Sequence, residues 1–331
     1  NGTASVETET ETTLDLSSVA SDIENDNLTY TIVSNPSNGT LSGANGSNIN
    51  YTSDAGFEGT DTFTFKVNDG SSDSNTSTIT VTVTNPNKHL ELNGTDARVE
   101  FDVDWSTFDG YTTNTSGEGA GINSSTMSIW VNLDQSNSQP IFSNVVGNNS
   151  VGTADNQWLT TDGGSTVEYK LDLNNGQTHN VQAGTLSAGQ WHHIVIVREK
   201  GISTNEQNGD DERRGRRIYI DGSFSGSLYD GGTRTLTDLG MYLGYADAQF
   251  NVDEYLDGAI DAFAIWDTHL TPNEITEIHS QGRTYDLTSD TGDYVSSSSI
   301  KLFYNMDGNL EDQTGNSSQD GTLVNGTYVN D

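Results

Sequence analysis

Residues 240–275, GMYLGYADAQFNVDEYLDGAIDAFAIWDTHLTPNEI, carry the densest chemical signal in the chain. Asp247, Asp253 and Glu254 crowd into one loop between two apolar strand patterns. Carboxylates so placed repel one another unless positive charge sits among them, and almost no lysine or arginine lies nearby. A hard divalent cation, calcium foremost, supplies that charge, because it accepts roughly six to eight oxygen ligands in loose geometry. The plainer reading is that these acids are solvated loop decoration. A bound ion would rarely have every position filled by protein. Vicinal hydroxyls of a sugar, or a carboxylate, could take the positions left to water. Aromatic rings beside the ion would then stack on the apolar face of the sugar, and Tyr245, Phe250 and Tyr255 lie within a few residues of those acids. Such a loop predicts a calcium-dependent binding module rather than an enzyme.

The loop needs strands to hold it, and the composition supplies them. Apolar residues make up 31% of the 331 residues and fall in short clusters separated by Thr, Ser, Asn, Gly and Asp. Short half-buried strands with polar turns are written this way. The first dozen residues alone read without a clear strand pattern. Against 13 basic residues stand 48 acidic ones, a net charge of −35. Such a field repels nucleic acid and anionic membranes, so neither is expected as a partner. It also suits salt water or the loading of several calcium ions. The chain has no cysteine, which excludes a disulfide scaffold, thiol catalysis and a thiolate zinc site. It has no apolar run of spanning length, so no membrane insertion is expected. No signal-peptide pattern opens it, and Asn1 is not a natural start residue; the sequence reads as a segment of a longer multidomain chain.

Two units follow from the patterning. From about residue 12 to 85, LTYTIVS, GTLSG, NINYTS and DTFTFKVNDG alternate apolar and polar residues, and the alternating STITVTVTNPN stops at Pro86. About 75 residues of such strands make a small sandwich of seven strands. The pieces SDIENDNLTYTIVSNPSNGTL, GFEGTDTFTFKVNDG and TITVTVTN resemble the cadherin-like or tandem immunoglobulin-like repeats of giant bacterial surface proteins. In such repeats, acids near domain junctions bind calcium and stiffen the chain. Asp22, Glu24 and Asp26 sit at alternate positions, so an extended segment would point all three one way. Asp69, with Asn85 and Asn87, could complete that site; a solvated acidic turn is the alternative.

The second unit carries all five tryptophans. HLELN, ARVEFDV, TMSIWVNLD, VEYKLDL, QWHHIVIVRE, RIYIDGSF, MYLGY, GAIDAFAIW and IKLFYNM read as strands. One helix begins after Thr271 as N-cap, with Pro272 first, Glu274 closing a capping box and Gly282 past its end. Many strands and one short helix predict a two-sheet jelly roll. The order LELNGTDARVEF, MSIWVNLD, PIFS, GQWHHIVIVRE, RIYIDGSF, YLDGAIDAFAIWDTHLTPNEI resembles the laminin-G-like and pentraxin branch of the concanavalin A-like sandwiches. That fold hosts glycan, protein and lipid-headgroup binders and some hydrolases. In pentraxins an Asp-Asn pair after an IFS strand holds calcium with acids from a later loop. By that resemblance Asp155 and Asn156 join Asp247, Asp253 and Glu254, and Trp158 joins Tyr245, Phe250 and Tyr255 as a candidate ligand contact. Tyr245-Ala246 departs from the pentraxin pattern, which has oxygen side chains there, so one ion is expected rather than two. Trp130, Trp191 and Trp266 sit inside strand patterns and are expected in the core.

Other clusters read more plainly. His192 and His193 are adjacent on a strand, so they face opposite sides, one packed and one exposed. Arg213, Arg214, Arg216 and Arg217 either pair with local acids or contact an anionic ligand. Asp307 to Asp312 lacks the glycine and distal glutamate of an EF-hand. No Glu-x-Asp-x-x-Glu array of the fold's glucanases is present, nor G-x-S-x-G, H-E-x-x-H or a phosphate loop. The sequence therefore reads as all-β: a small immunoglobulin- or cadherin-like sandwich over residues 1–86 as stalk, then a concanavalin A-like jelly roll over 87–331 as binding end. The resemblances imply an extracellular, bacterial, cell-surface adhesin whose jelly roll binds glycans through Ca2+. A protein or peptide ligand, an accessory module of a secreted polysaccharide-active enzyme, and a spacer are the alternatives.

Overall fold

A computed structural model describes residues 1–24, 26–85, 88–101, 124–144, 156–172, 178–199, 215–229, 241–246, 254–316 and 319–330. The chain divides into two units, Asn1–Asn87 and Lys88–Asp331. No helix among the described residues is long and apolar enough to cross a membrane.

The first unit carries seven strands: β1 (Gly2–Glu7), β2 (Thr12–Asp15), β3 (Thr29–Ser34), β4 (Gly39–Asn45), β5 (Asn48–Ser53), β6 (Gly59–Asn68) and β7 (Ser77–Thr84). They form a sheet in the order β1-β7-β6-β3 and a second in the order β2-β5-β4. Alternation sets the core, as Phe63, Phe65 and Val67 of β6 and Ile79, Val81 and Val83 of β7 all point inward. The N-terminal residues do form a strand, contrary to the expectation. In TASVE, Ala4 and Val6 meet that core while β1 runs parallel to β7, so two small apolar residues suffice to seat it.

The second unit begins with β8 (Lys88–Asn93), β9 (Arg98–Phe101), β10 (Ser125–Leu133) and β11 (Gln139–Ser143). Then follow β12 (Asn156–Thr161), β13 (Thr166–Asp172), β14 (Thr178–Thr185), β15 (Trp191–Glu199), β16 (Gly215–Ile220) and β17 (Ser223–Tyr229). The last elements are β18 (Met241–Leu243), β19 (Tyr245–Ala246), β20 (Glu254–Tyr255), β21 (Asp257–Trp266), helix α1 (Pro272–Gln281), β22 (Ile300–Tyr304), β23 (Gly321–Val324) and β24 (Thr327–Asn330). One large sheet runs β17-β16-β15-β10-β21-β8-β24, with β22 also on β21; the other runs β14-β13-β12-β11-β18-β9-β23. The unit is the expected two-sheet sandwich. Its core lies between the sheets, with Ile129, Val131, Ile194, Ile196 and Phe263 facing Phe142, Leu159, Tyr169 and Leu243.

A second apolar layer lies outside the first sheet. Trp130, Val195, Val197, Ala264 and Trp266 are covered there by Ile275 and Ile278 of α1, with Leu270, Leu287 and Tyr294. The helix starts as its sequence dictates. Thr271 Oγ1 accepts from the Glu274 N–H at 3.3 Å and Glu274 Oε2 accepts from the Thr271 N–H at 2.8 Å, with Pro272 opening the first turn. Trp130 stacks on His193 at 4.8 Å and on His279 of the helix at 5.5 Å. His193 is fully buried and bonds Ser128 Oγ at 2.8 Å, and burial pushes its pKa down to about 3. His192, on the opposite face, is half-buried rather than exposed as one of the pair was expected to be, with Nδ1 at 2.8 Å from Asp221 and Nε2 accepting from the Ser187 N–H. Trp191 is only partly buried; Arg283 lies over its ring at 4.0 Å and pairs with buried Asp261 at 2.7 Å.

Candidate functional site

The outer face of the other sheet is built differently. In β9, Val99 and Phe101 point to the core, so Arg98 and Glu100 point out. In β18, Met241 and Leu243 point in, so Tyr242 points out. Register then lines side chains across five strands: Glu100 pairs Tyr242, Tyr242 pairs Ser143, Ser143 pairs Trp158 and Trp158 pairs Lys170. Partners in register share a face, so this row crosses one surface of the sheet.

Gly244 turns the chain directly after Leu243, the end of β18. Its φ is +71°, and a Cβ there would stand 2.2 Å from Leu92 Cδ1, so only glycine fits. Its N–H donates to Ile141 O and its carbonyl accepts from the Leu256 N–H, both at 2.9 Å. The expected single strand MYLGY is thereby broken into β18 and β19. The turn returns Tyr245 to the outer face, where β19 pairs with β20 and Tyr245 stands opposite Tyr255. Ser143 Oγ anchors the turn by donating to Tyr245 O at 2.7 Å.

Tyr245 is the hub of the resulting cluster. Its ring lies 5.1 Å from that of Tyr255 and 5.3 Å from that of Tyr242, with the Arg98 guanidinium 5.4 Å above it. All four side chains are half-buried, so each rests on neighbours and still shows an edge to solvent. Arg98 bonds Glu100 Oε1 through Nε at 2.7 Å and Nη2 at 2.6 Å. Partial burial opposes its charge, but the Glu100 bonds outweigh it and raise its pKa. Three phenol rings, a fixed cation and a carboxylate thus share one open patch. It can stack on an apolar ring face and offer hydroxyl, guanidinium and carboxylate partners around it.

The sequence-predicted residues fall into three groups. Tyr245 and Tyr255 are brought together, with exposed Glu254 beside Tyr255 in β20. Trp158 is on the same face but is buried, 3% exposed, and packs against Ala246, so it offers no open ring. Asp155, Asp247, Phe250 and Asp253 lie outside the described residues, as do Arg213, Arg214 and Asn87. Asn156 opens β12, and its side chain is likewise outside the description. The Trp158–Ala246 contact places β12 beside β19, and Ala246 in turn pairs with Glu254 of β20.

The four carboxylates predicted for the first unit are not gathered. No three His, Asp or Glu among the described residues converge as an ion site. Asp22 Oδ1 accepts from the Asp26 N–H at 3.0 Å, in a segment where Ile23 is 93% exposed, so the stretch bends instead of running extended. Asp69 Oδ1 accepts from the Ser72 and Ser71 N–H groups at 2.8 and 2.7 Å, which hold its carboxyl below the ordinary range. Backbone N–H groups thus occupy one oxygen of Asp22 and one of Asp69. Arg216 is turned into the sandwich interior, and Arg217 is half-buried on the opposite face of β16. Tyr242, Arg98 and Glu100 escaped sequence reading. The signal for them was present in the in-out-in pattern of MYL and the out-in-out pattern of RVE.

The family model described as bacterial Ig domain matches residues 1–82. That of the concanavalin A-like lectin/glucanases superfamily matches residues 106–276, more than half of the chain. No curated protein sequence matches significantly. Among solved structures, a proposed carbohydrate-binding protein of Bacteroides ovatus is similar at 15% identity and a TM-score of 0.47, over 99% of this chain and 95% of that one. A SAP-like pentraxin of Limulus polyphemus is similar at 13% identity and 0.40, over 72% and 94%. A module of a Ruminococcus gnavus sialidase, bound to α2,3-sialyllactose, is similar at 14% and 0.38, over 56% and 95%.

Proposed function

Because the chain belongs to the concanavalin A-like lectin/glucanases superfamily, we propose that its second unit is a non-catalytic carbohydrate-binding module that works on the open face of the β18-bearing sheet. The observation that carries this reading is the Tyr242–Tyr245–Tyr255 cluster with Arg98 and Glu100. It is aromatic and charged, fixed by register and by Gly244, and left uncovered by the described residues of the unit. A sugar ring laid on the phenols keeps its hydroxyls at the rim, where Arg98 donates and Glu100 accepts.

Calcium is the second part of the proposal. Asp155, Asn156, Asp247, Asp253 and Glu254 are the residues that would hold it, and the Trp158–Ala246 contact supports drawing them from one corner. The ion would supply open coordination positions for vicinal hydroxyls next to the tyrosines. The first unit, a bacterial Ig domain in its family match, would serve as spacer in an extracellular, adhesin-like chain.

The test is binding of the labelled chain to a broad glycan array, with calcium and with chelator, beside the Tyr245→Ala variant. Selective signal lost in chelator and weakened in Tyr245→Ala supports both parts. Selective signal that survives chelation keeps the aromatic face and removes the ion. A blank array in every condition redirects the patch to a protein or peptide ligand, for which tyrosine and arginine are equally suited.

A further inference from the structure

We infer, resting on the carbohydrate-binding role proposed for the open face, that this face takes uncharged glycans and turns acidic ones away. Among the described residues, the β18-bearing sheet points two lysine or arginine side chains outward, Arg98 and Lys170. The alternation that buries Val167, Tyr169 and Leu171 of β13 turns Glu168 and Lys170 to the side that Arg98 and Glu100 share. Each of the two cations is held by a carboxylate of its own strand. Arg98 places Nε and Nη2 on Glu100 Oε1 at 2.7 and 2.6 Å, and its Nη1 donates to Asp96 O at 3.4 Å. Lys170 Nζ lies 2.9 Å from Glu168 Oε2. Exposed Glu254, beside Tyr255, makes three carboxylates to two cations.

A sugar carboxylate reaching this face would find both cations already bonded to carboxylates, and would lose water beside Glu100 and Glu254. An anion taken from water recovers that loss only against a cation it can pair with, and like charges nearby add to it. A neutral hydroxyl carries no such cost. A guanidinium has more N–H donors than the bonds above use, so Arg98 keeps some for a sugar oxygen. Both bonds from Arg98 to Glu100 end on Oε1, which leaves Oε2 to accept from a sugar hydroxyl. Donors and acceptors thus remain on the face where net positive charge does not. Calcium at the proposed corner does not reverse the sign, because Asp155, Asp247, Asp253 and Glu254 set four negative charges against its two. The chain as a whole, at −35, repels acidic polysaccharide at longer range.

The probe is the neutral oligosaccharide that binds most strongly on the glycan array. Titration calorimetry of the full chain in calcium compares it with the same sugar oxidised at its primary hydroxyls to the uronic acid, and with the methyl ester of that acid. The acid is expected to bind about tenfold or more weakly than the parent at low salt, and the gap should narrow as salt screens it. The ester, uncharged and bulkier than the acid, should recover the affinity of the parent. Glu100→Gln releases Arg98 from its pair and should raise the acid-to-parent affinity ratio several-fold. An acid that binds as well as its parent overturns the inference and leaves the carbohydrate-binding role standing, as does an array lit only by acidic glycans. An ester as weak as the acid also overturns it, because bulk and not charge would then decide, and so does a ratio unmoved in Glu100→Gln. A blank array defeats the carbohydrate-binding role itself, and the inference with it.

Discussion

The two outer faces of the second unit carry similar aromatic side chains and use them in opposite ways. On the β21-bearing sheet, Trp130 and Trp266 lie beneath α1 and the segment that follows it, and the Trp266 indole N–H donates at 2.9 Å to the hydroxyl of Tyr294 in that segment. On the β18-bearing sheet, Tyr242, Tyr245 and Tyr255 touch one another in the same way, yet nothing among the described residues seals them. An aromatic ring on a sheet face is therefore not informative alone. What decides its role is whether a later segment returns to cover it. The capping box at Thr271 and the apolar stripe Ile275/Ile278 make that return on one side.

The largest effect should come from the covered face. Trp266→Ala removes a fully buried indole and its hydrogen bond to Tyr294 OH, which keeps its own bond to Leu287 O, and should cost about 3–5 kcal/mol. Calorimetry should show the second unit melting lower by roughly 10 °C. Molecules still folded should bind ligand as before. Loss of binding in the folded fraction would mean that the two faces communicate, which breaks the comparison.

Calcium sharpens the comparison from the other side. If the ion sits at the corner of the open face, saturating calcium should stabilise the second unit by about 2–3 kcal/mol at a hundredfold excess over Kd. The first unit, where no carboxylates converge, should melt the same in calcium and in chelator. A calcium shift confined to the first unit would invert the assignment.

Acid should act on the covered face before the open one. His193 is buried neutral, with a pKa pushed down to about 3 from an ordinary value near 6.5. Unfolding lets it take up a proton at any pH between those two values. Its contribution to stability is therefore complete above about pH 6.5 and is lost as pH falls toward 3, at about 1.4 kcal/mol per pH unit. Urea titrations between pH 7 and 5 stay above most carboxylate titration. They should show this slope in the wild type and a flatter one in His193→Asn. Identical slopes would remove His193 from the account.

Much of the architecture was legible because it rests on local periodicity. The alternation in STITVTVT and TMSIWVNL, and the cap Thr271-Pro272-Asn273-Glu274, each specify their element without help from distant residues. The site was legible only in part. Tyr245 and Tyr255 stood close to the acidic loop in sequence and were found for that reason. Tyr242, Arg98 and Glu100 reach the same patch through cross-strand register, which joins β9 to β18 over some 140 intervening positions. Trp158 was misjudged on the same ground: proximity to Asp155 placed it correctly on the face, but its burial depends on Ala246, far along the chain. Asp22, Glu24 and Asp26 were read as alternating along extended backbone or as an acidic turn, and the chain bends there.

The smallest effect is the one that tests the open face most directly. Tyr245 touches Tyr242, Tyr255 and Arg98, so Tyr245→Ala removes the hub and leaves two rings without a common support. Such contacts are worth about 0.5–1.5 kcal/mol beyond buried area, and the same order should be lost to a stacked ligand. Ligand affinity should fall about five- to tenfold by titration calorimetry, while the melting temperature of the second unit moves by no more than about 3 °C. Tyr245→Phe keeps the ring and should keep most of the affinity. Should Tyr245→Ala instead lower the melting temperature as far as Trp266→Ala does, the cluster is a second core. The open face would then need another occupant, because half-buried rings that stabilise the fold that strongly cannot also be free to exchange neighbours for a sugar.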